Sequence, residues 1–331
     1  MSIGRPDAFG GGAPLALLGD VGGTHARFAL DQGDGAHALE VLACADYGDL
    51  EQALRHYLRM RGDPPVREAA IAIATPVLGD HVAMTNRGWS FSTEALRRAM
   101  RWDRLVVLND FTALALALPD LPSAACVRVG GEPARPGQPA ALLGPGTGLG
   151  VSGLLWTPEG RAMALAGEGG HVSFAPSDED EVDLWRFARA RHGHVSAERL
   201  LSGPGLALIH AWARGRHGGE ARDAPAIVEA GCWGADKACV VALDMFCAAL
   251  GTVAADLALT LGAFGGVYLG GGIVARMGDV FVRSRFRERF EAKGRFGGYL
   301  AKIPVFVIHG EAAALPGAAR ALRAPCNGVL P

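Results

Sequence analysis

The chain has 331 residues, half of them apolar and a fifth charged, which excludes disorder over most of its length and leaves room for about two domains that need no disulfide or metal staple. A formal net charge of −2 argues against general nucleic-acid binding and against a polybasic membrane surface. Glycine is abundant, at 47 residues, and gathers at particular turns.

The opening MSIGRPDAFGGGAPLALLGD holds one arginine and an early Asp7, and its apolar run of about six residues is too short for a secretory signal. A Gly/Ala/Pro-rich lead-in ends at Pro14. Residues 15–18 and 25–30 then read as strands joined by a Gly22-Gly23 turn, and residues 37–44 as a third strand. Leu50–Met60 has apolar residues at helical spacing. Residues 69–77 form a buried strand, 92–100 a short helix opened by a serine cap, and 104–108 another strand. Three strands followed by alternating helix and strand are an α/β pattern.

A second glycine-rich turn spans residues 144–150, with strand-like runs on both sides. Helices are expected over 180–191, 198–201, 205–214 and 236–261, strands over 267–269 and 303–308, and a last helix over 311–322. The uncharged stretch 257–275 is long enough to span a membrane, but its six glycines make it a helix end, a turn and a buried strand. The six cysteines (Cys44, Cys126, Cys232, Cys239, Cys247 and Cys326) show no C-x-x-C pair and no zinc spacing, so they read as reduced core residues. The protein is expected to be cytoplasmic. Its two α/β halves are expected to divide near residues 109–111, giving a small domain of 1–110 plus 311–331 and a large one of 111–310.

Four constellations carry chemistry. In Gly19-Asp20-Val21-Gly22-Gly23-Thr24 a tight glycine turn lets backbone N–H groups approach an anion, Thr24 adds a hydroxyl, and Asp20 is placed to hold hydrated Mg²⁺ beside phosphates; an ordinary β-turn is the plainer alternative. Gly148 to Gly153 matches G-x-G-x-x-G, with Glu168 twenty residues after Gly148. A dinucleotide site needs a helix after its glycines, however, and residues 151–156 and 161–165 read as a hairpin about the turn 157–160. In Leu108-Asn109-Asp110-Phe111 an apolar strand ends in two polar residues: Asp110 suits a proton acceptor for a substrate hydroxyl and Asn109 a group that fixes it, while a helix cap at Asp110 is the alternative. Glu168 and His171, held among glycines, and Glu198 further on offer a grip for vicinal hydroxyls. A helix-surface charge is the plainer reading of Glu198, and no zinc motif is present.

In their order and company these segments closely resemble the bacterial glucokinase family of the sugar kinase/Hsp70/actin superfamily. The matching pieces are GDVGGTHARFAL, AIAIATPVLGDHVAMTNRGWSFS, VVLNDFTALALALP, GPGTGLGV, GEGGHVSFAP, HVSAERLLSGPGL, and FGGVYLGGGIVAR with KGRF, from about residue 15 to about residue 310. The resemblance implies a two-domain, ribonuclease H-like α/β fold with an interdomain cleft, whose last helix packs back onto the small domain. It implies that Asp20, Val21, Gly22, Gly23 and Thr24 form the first phosphate loop and Gly146, Thr147 and Gly148 the second. Asn109 and Asp110 become the sugar-binding pair with Asp110 the base; Gly148, Glu168, His171 and Glu198 join them at glucose; and Gly271, Gly272 and Ile273 lie near the adenosine.

The activity so implied is ATP-dependent phosphorylation of glucose to glucose 6-phosphate, with Mg²⁺ placed by Asp20 through water, in a cytoplasmic homodimer that takes neither nucleic acid nor membrane as a partner. Closure around the sugar is expected to guard against hydrolysis of ATP. The family commonly has Asn where this chain has His25, and the Gly-rich start and the Pro-rich end, 324–331, have no counterpart. Alternatives are a hexokinase of other sugar preference, a non-enzymatic sugar sensor on the same fold and, from the G-x-G-x-x-G match, an NAD-dependent oxidoreductase.

Overall fold

The computed structural model describes residues 15–84, 88–310 and 312–324. The Gly-rich lead-in, Cys326, Glu311 and most of the Pro-rich end lie outside the described residues. The chain divides into two compact units, one from Met1–Asp120 with Ala312–Pro331 and one from Leu121–Glu311.

The first unit is built on a five-stranded sheet in the order Ala36–Ala43, His25–Asp31, Ala16–Val21, Glu68–Ile73, Arg104–Asn109. The first three strands form an antiparallel meander and the last two run parallel to Ala16–Val21. Alternation along Ala16–Val21 assigns its faces. Leu17 and Val21 point into a core closed by Leu50–Met60, whose Leu50, Ala53, Leu54 and Tyr57 are buried at helical spacing behind an Asp49 cap. Ala16 and Leu18 face Leu315, Ala318 and Leu322 of the helix Leu315–Arg323. Asp20 follows on that second face, at the carboxyl end of the strand.

The helix Asp110–Ala117 packs against Leu315–Arg323 so closely that a Cβ on Gly317 would run into the Ala113 carbonyl. It therefore belongs to the first unit, and the division expected at 110/111 moves to 120/121. The last helix begins at Leu315, later than the expected 311, because Ala312 has φ +59° and Pro316 occupies the first turn. A short hairpin, His81–Ala83 with Ser90–Ser92, was not legible in the sequence.

The second unit repeats this topology. Its sheet runs Ala162–Ala166, Leu149–Trp156, Ala140–Pro145, Gly266–Leu269, Val305–Ile308: a meander, then two parallel strands, with Cys126–Arg128 added antiparallel at the edge. The glycine turn is thus followed by a hairpin, which removes the dinucleotide reading. The long helix Lys237–Leu261 has the length and apolarity of a membrane span, yet 78 % of its most apolar window is buried; it is the core helix of this unit, packed among Gly203–His217, Ala224–Cys232 and Phe286–Glu291. Cys44, Cys239 and Cys247 are buried as expected, whereas Cys126 and Cys232 are only half-buried.

Candidate active site

In the first unit the candidate residues sit at the carboxyl ends of the two parallel strands that flank Glu68–Ile73, where α/β sheets present ligands. Register sets Asp20 beside Ala72 and Ile73 beside Asn109. The turn after Asp20 and Val21 closes with the Gly22 N–H donating to the His25 carbonyl at 2.9 Å, and leaves Thr24 and His25 exposed. Asp20 faces Arg27 across the ladder, Oδ2 to guanidinium 3.8 Å, with its side chain 18 % exposed. Burial raises the Asp20 carboxyl above its usual range, and Arg27 opposes the rise.

Asn109, not Asp110, caps the helix Asp110–Ala117. Its Oδ1 accepts from the N–H groups of Phe111 at 2.9 Å and Thr112 at 3.2 Å, while its Nδ2 donates to Asp110 Oδ1 at 3.0 Å. The Phe111 N–H also donates to Asp110 Oδ1, at 2.9 Å. Asp110 Oδ2 makes no hydrogen bond among the described residues. Burial, reinforced by the charge of Asp20, pushes the Asp110 carboxyl up to about 7. Asp20, 18 % exposed at its strand end with one guanidinium 3.8 Å away, offers oxygen acceptors to the water shell of a magnesium ion.

The second unit holds the other residues. The turn 144–150 is closed by the Gly146 N–H on the Gly148 carbonyl at 2.8 Å. Backbone bonds between residues 172–174 and 195–197 (Ala197 N–H to Val172 O, Phe174 N–H to Val195 O, both 2.9 Å) bring His171 alongside Glu198. His171 lies 3.9 Å from Glu168 and 4.0 Å from Glu198, so residues 30 positions apart form one polar cluster, half open to solvent. Glu198 is no simple surface charge: its Oε2 accepts the Leu149 N–H at 2.8 Å.

A pocket of about 560 Å³ lies on the other side of the same turn, lined by Gly146, Thr147, Gly272, Ile273 and also by Pro204, Ala224, Pro225, Val228 and Arg276. Gly271, beside Gly272 in the chain, has φ +83°, and a Cβ there would strike the Pro145 carbonyl; Gly148 faces Glu198 rather than the pocket. The helix Ala224–Cys232 and Arg276 carried no signal that singled them out in the sequence, although Asp223-Ala-Pro is a helix start and Arg276 is one turn beyond Ile273. The lining is mostly apolar, with the glycine turn and the charged Asp223 and Arg276 as its polar parts.

A third group, His210, Asp236 and Cys239, has ligand atoms within 4.8 Å of one another. Their partners are already local: Asp236 caps the helix Lys237–Leu261 and pairs with Arg222, and Cys239 contacts His210 at 3.4 Å. This is helix packing, not a metal centre.

Comparison with known proteins shows the family. The glucokinase family profile matches residues 17–325. A glucokinase of Ralstonia nicotianae is 54 % identical over 92 % of this chain and 94 % of its own length. One of Chromobacterium violaceum is 55 % identical over 96 % of this chain and 91 % of its own. The crystal structure of a glucokinase from an Antarctic psychrotroph superimposes with a TM-score of 0.83 at 37 % identity, covering 93 % of this chain and 98 % of that one. The repeated meander-plus-parallel sheets are those of the two-domain sugar kinase fold, and the chain belongs to the glucokinase family.

Proposed function

We propose that this protein phosphorylates glucose at its 6-hydroxyl with MgATP, with Asp110 as general base. The carrying observation is Asp110 itself: a carboxyl at a strand end, fixed on one oxygen by Asn109 and Phe111, and raised to about 7. A base tuned near the working pH accepts a proton best as attack proceeds. Asn109 holds that carboxylate and offers the sugar a polar neighbour. Glu168, His171 and Glu198 hold ring hydroxyls, the two carboxylates as acceptors and the imidazole as donor or acceptor.

Phosphoryl transfer asks mostly for positioning and neutralisation of charge. On this reading the turns at 20–24 and 146–148 supply backbone N–H groups to the phosphates, the pocket beside Ile273 and Arg276 takes the adenosine, and Asp20 orients the magnesium that arrives with ATP through its water shell. Magnesium spreads charge on the transferring oxygens. A cytoplasmic homodimer is part of the same reading; light scattering on the purified protein tests the assembly state.

The direct test is release of glucose 6-phosphate from MgATP and glucose, read by an NADP-coupled dehydrogenase, with ADP release measured in parallel across a panel of hexoses and an EDTA control. Magnesium-dependent glucose 6-phosphate is the expected result. ADP release with another hexose only would move the specificity, and silence in both assays would overturn the reading.

A further inference from the structure

The second glycine turn is fastened to the short helix Ala197–Leu200 and its exit at two points. One is fixed backbone: the Gly203 N–H donates to the Gly146 carbonyl at 2.8 Å. The other is a side chain: Glu198 Oε2 accepts the Leu149 N–H at 2.8 Å. The fit is close enough that a Cβ on Gly148 would collide with that carboxylate. Ser202 Oγ donates back to the Glu198 carbonyl at 2.8 Å, fastening the helix exit.

The other oxygen of the same carboxylate faces the polar cluster. Glu198 Oε1 is 4.0 Å from His171 Nδ1, beyond hydrogen-bond range, and the Glu198 side chain is 32 % exposed. One oxygen thus serves the phosphate turn while the other waits for a donor.

We propose that Glu198 is a positioning residue that couples the two substrates: a sugar hydroxyl bound to its Oε1 locks the carboxylate on the Leu149 N–H and so sets turn 146–148 for the nucleotide phosphates. The inference rests on the assignment of Glu198 to the sugar and of that turn to ATP. A ligand shifts an equilibrium only through contacts that differ between the two states, and here the differing contact is named: without sugar the carboxylate is held through Oε2 on the Leu149 N–H, and with sugar it is held at both oxygens. Linkage makes the effect reciprocal, so the nucleotide must tighten the sugar by the same factor.

The experiment measures the dissociation constant of magnesium AMP-PNP by calorimetry, with and without saturating glucose, on the full chain. In the unaltered protein glucose is expected to tighten the analogue about 5-fold or more, within the usual range of coupling. Glu198→Ala removes the link, and its factor is expected to fall towards about 1 even when glucose is saturating; Glu198→Gln, which keeps the shape and an acceptor for the Leu149 N–H but loses the charge and one acceptor, guards against misfolding and is expected to keep only part of the factor. Glu168→Gln, a sugar contact with no bond to the turn, is expected to weaken glucose while leaving the factor intact. An unchanged factor in both Glu198 variants, or no coupling in the unaltered protein, overturns the proposal. Failure of glucose to bind, or undiminished glucose affinity in Glu168→Gln, overturns instead the assignment of the sugar site on which it rests.

Discussion

Asn109 donates its side-chain N–H to Asp110 Oδ1 at 3.0 Å while its own carbonyl oxygen caps the helix that Asp110 begins. One side chain thus ends a strand, starts a helix and aims a carboxylate, and Asp110 Oδ2 is the oxygen that the proposed function gives to the substrate. Asn109→Ala is expected to cost ~1 kcal/mol of stability through the lost cap and to lower kcat by more than that loss explains. Asn109→Asp keeps the cap but adds a like charge, so it is expected to move the acidic fall of activity to higher pH. Thermal unfolding and a pH–rate profile of the two variants check both expectations.

Asp110→Asn is expected to lower kcat by about 10²- to 10⁴-fold, the usual worth of a general base, while glucose still binds. The same change is expected to stabilise the fold. The Asp110 carboxyl is raised from 3.8 to about 7 in the folded protein, so between those values the folded state holds a proton that the unfolded state has released, and stability falls as pH rises through that window. Above pH 7 the ionised carboxylate carries its full burial penalty, at most about 4 kcal/mol for a shift of this size. Urea unfolding at pH 8 and pH 4 is the check: the asparagine variant should be more stable than the native protein at pH 8, with the gain gone at pH 4. Equal midpoints at pH 8 would contradict the strained carboxylate.

The pH dependence of catalysis follows from the same group. As a base Asp110 acts only when ionised, so kcat/KM is expected to rise through about pH 7 and to fall about tenfold per unit on the acid side. Burial is the larger cause of the shift and the charge of Asp20 the next. Asp20→Asn is therefore expected to lower the Asp110 titration midpoint without returning it to 3.8, as read from the ¹³C carboxyl resonance of the free enzyme. A midpoint that did not move would mean that Asp20 exerts no field there.

Arg276 stands one helical turn beyond Ile273 on Gly272–Met277 and lines the same pocket. Arg276→Ala is expected to raise the KM for ATP several-fold and leave the KM for glucose near its native value, because Glu168, His171 and Glu198 do not line that pocket. Steady-state kinetics with each substrate varied in turn separate the two. A selective rise in the KM for glucose would mean that the pocket takes the sugar.

Much of this site is legible in the sequence because its residues sit in short local patterns. A strand ending in Asn-Asp and the glycine turn at 144–150 put polar groups at strand ends whatever the tertiary packing. The hairpin after Gly150 is readable too, since residues 151–156 and 161–165 flank a Thr-Pro-Glu-Gly turn, and that pattern alone is enough to disfavour a dinucleotide site. Three-dimensional relationships are not legible. The cap at Asn109 rather than Asp110 depends on which side chain the strand end turns towards the helix. The bond from Leu149 to Glu198 joins residues 49 positions apart, and no local spacing encodes it. The later start of the last helix reflects a positive φ at Ala312, which an Ala-rich sequence conceals.

Gly271 lies between the strand Gly266–Leu269 and the helix Gly272–Met277, whose Gly272 lines the pocket. Its φ of +83° lies where an L side chain is strained, and a Cβ there would strike the Pro145 carbonyl at the end of the strand that leads into turn 146–148. Gly271→Ala must therefore bear a backbone penalty and push that strand aside, together about 2–4 kcal/mol. The displaced atom belongs to the residue before Gly146, so the damage should reach turn 146–148; if that turn holds the phosphates as proposed, the KM for ATP rises more than the KM for glucose. Gly272→Ala is the matched control: it begins the helix Gly272–Met277, and a methyl group there would meet nothing within 4 Å, so its unfolding temperature should match or slightly exceed that of the native protein. Equal unfolding temperatures for the two variants would show that the contact with Pro145 yields at no cost and that Gly271 does not hold the turn.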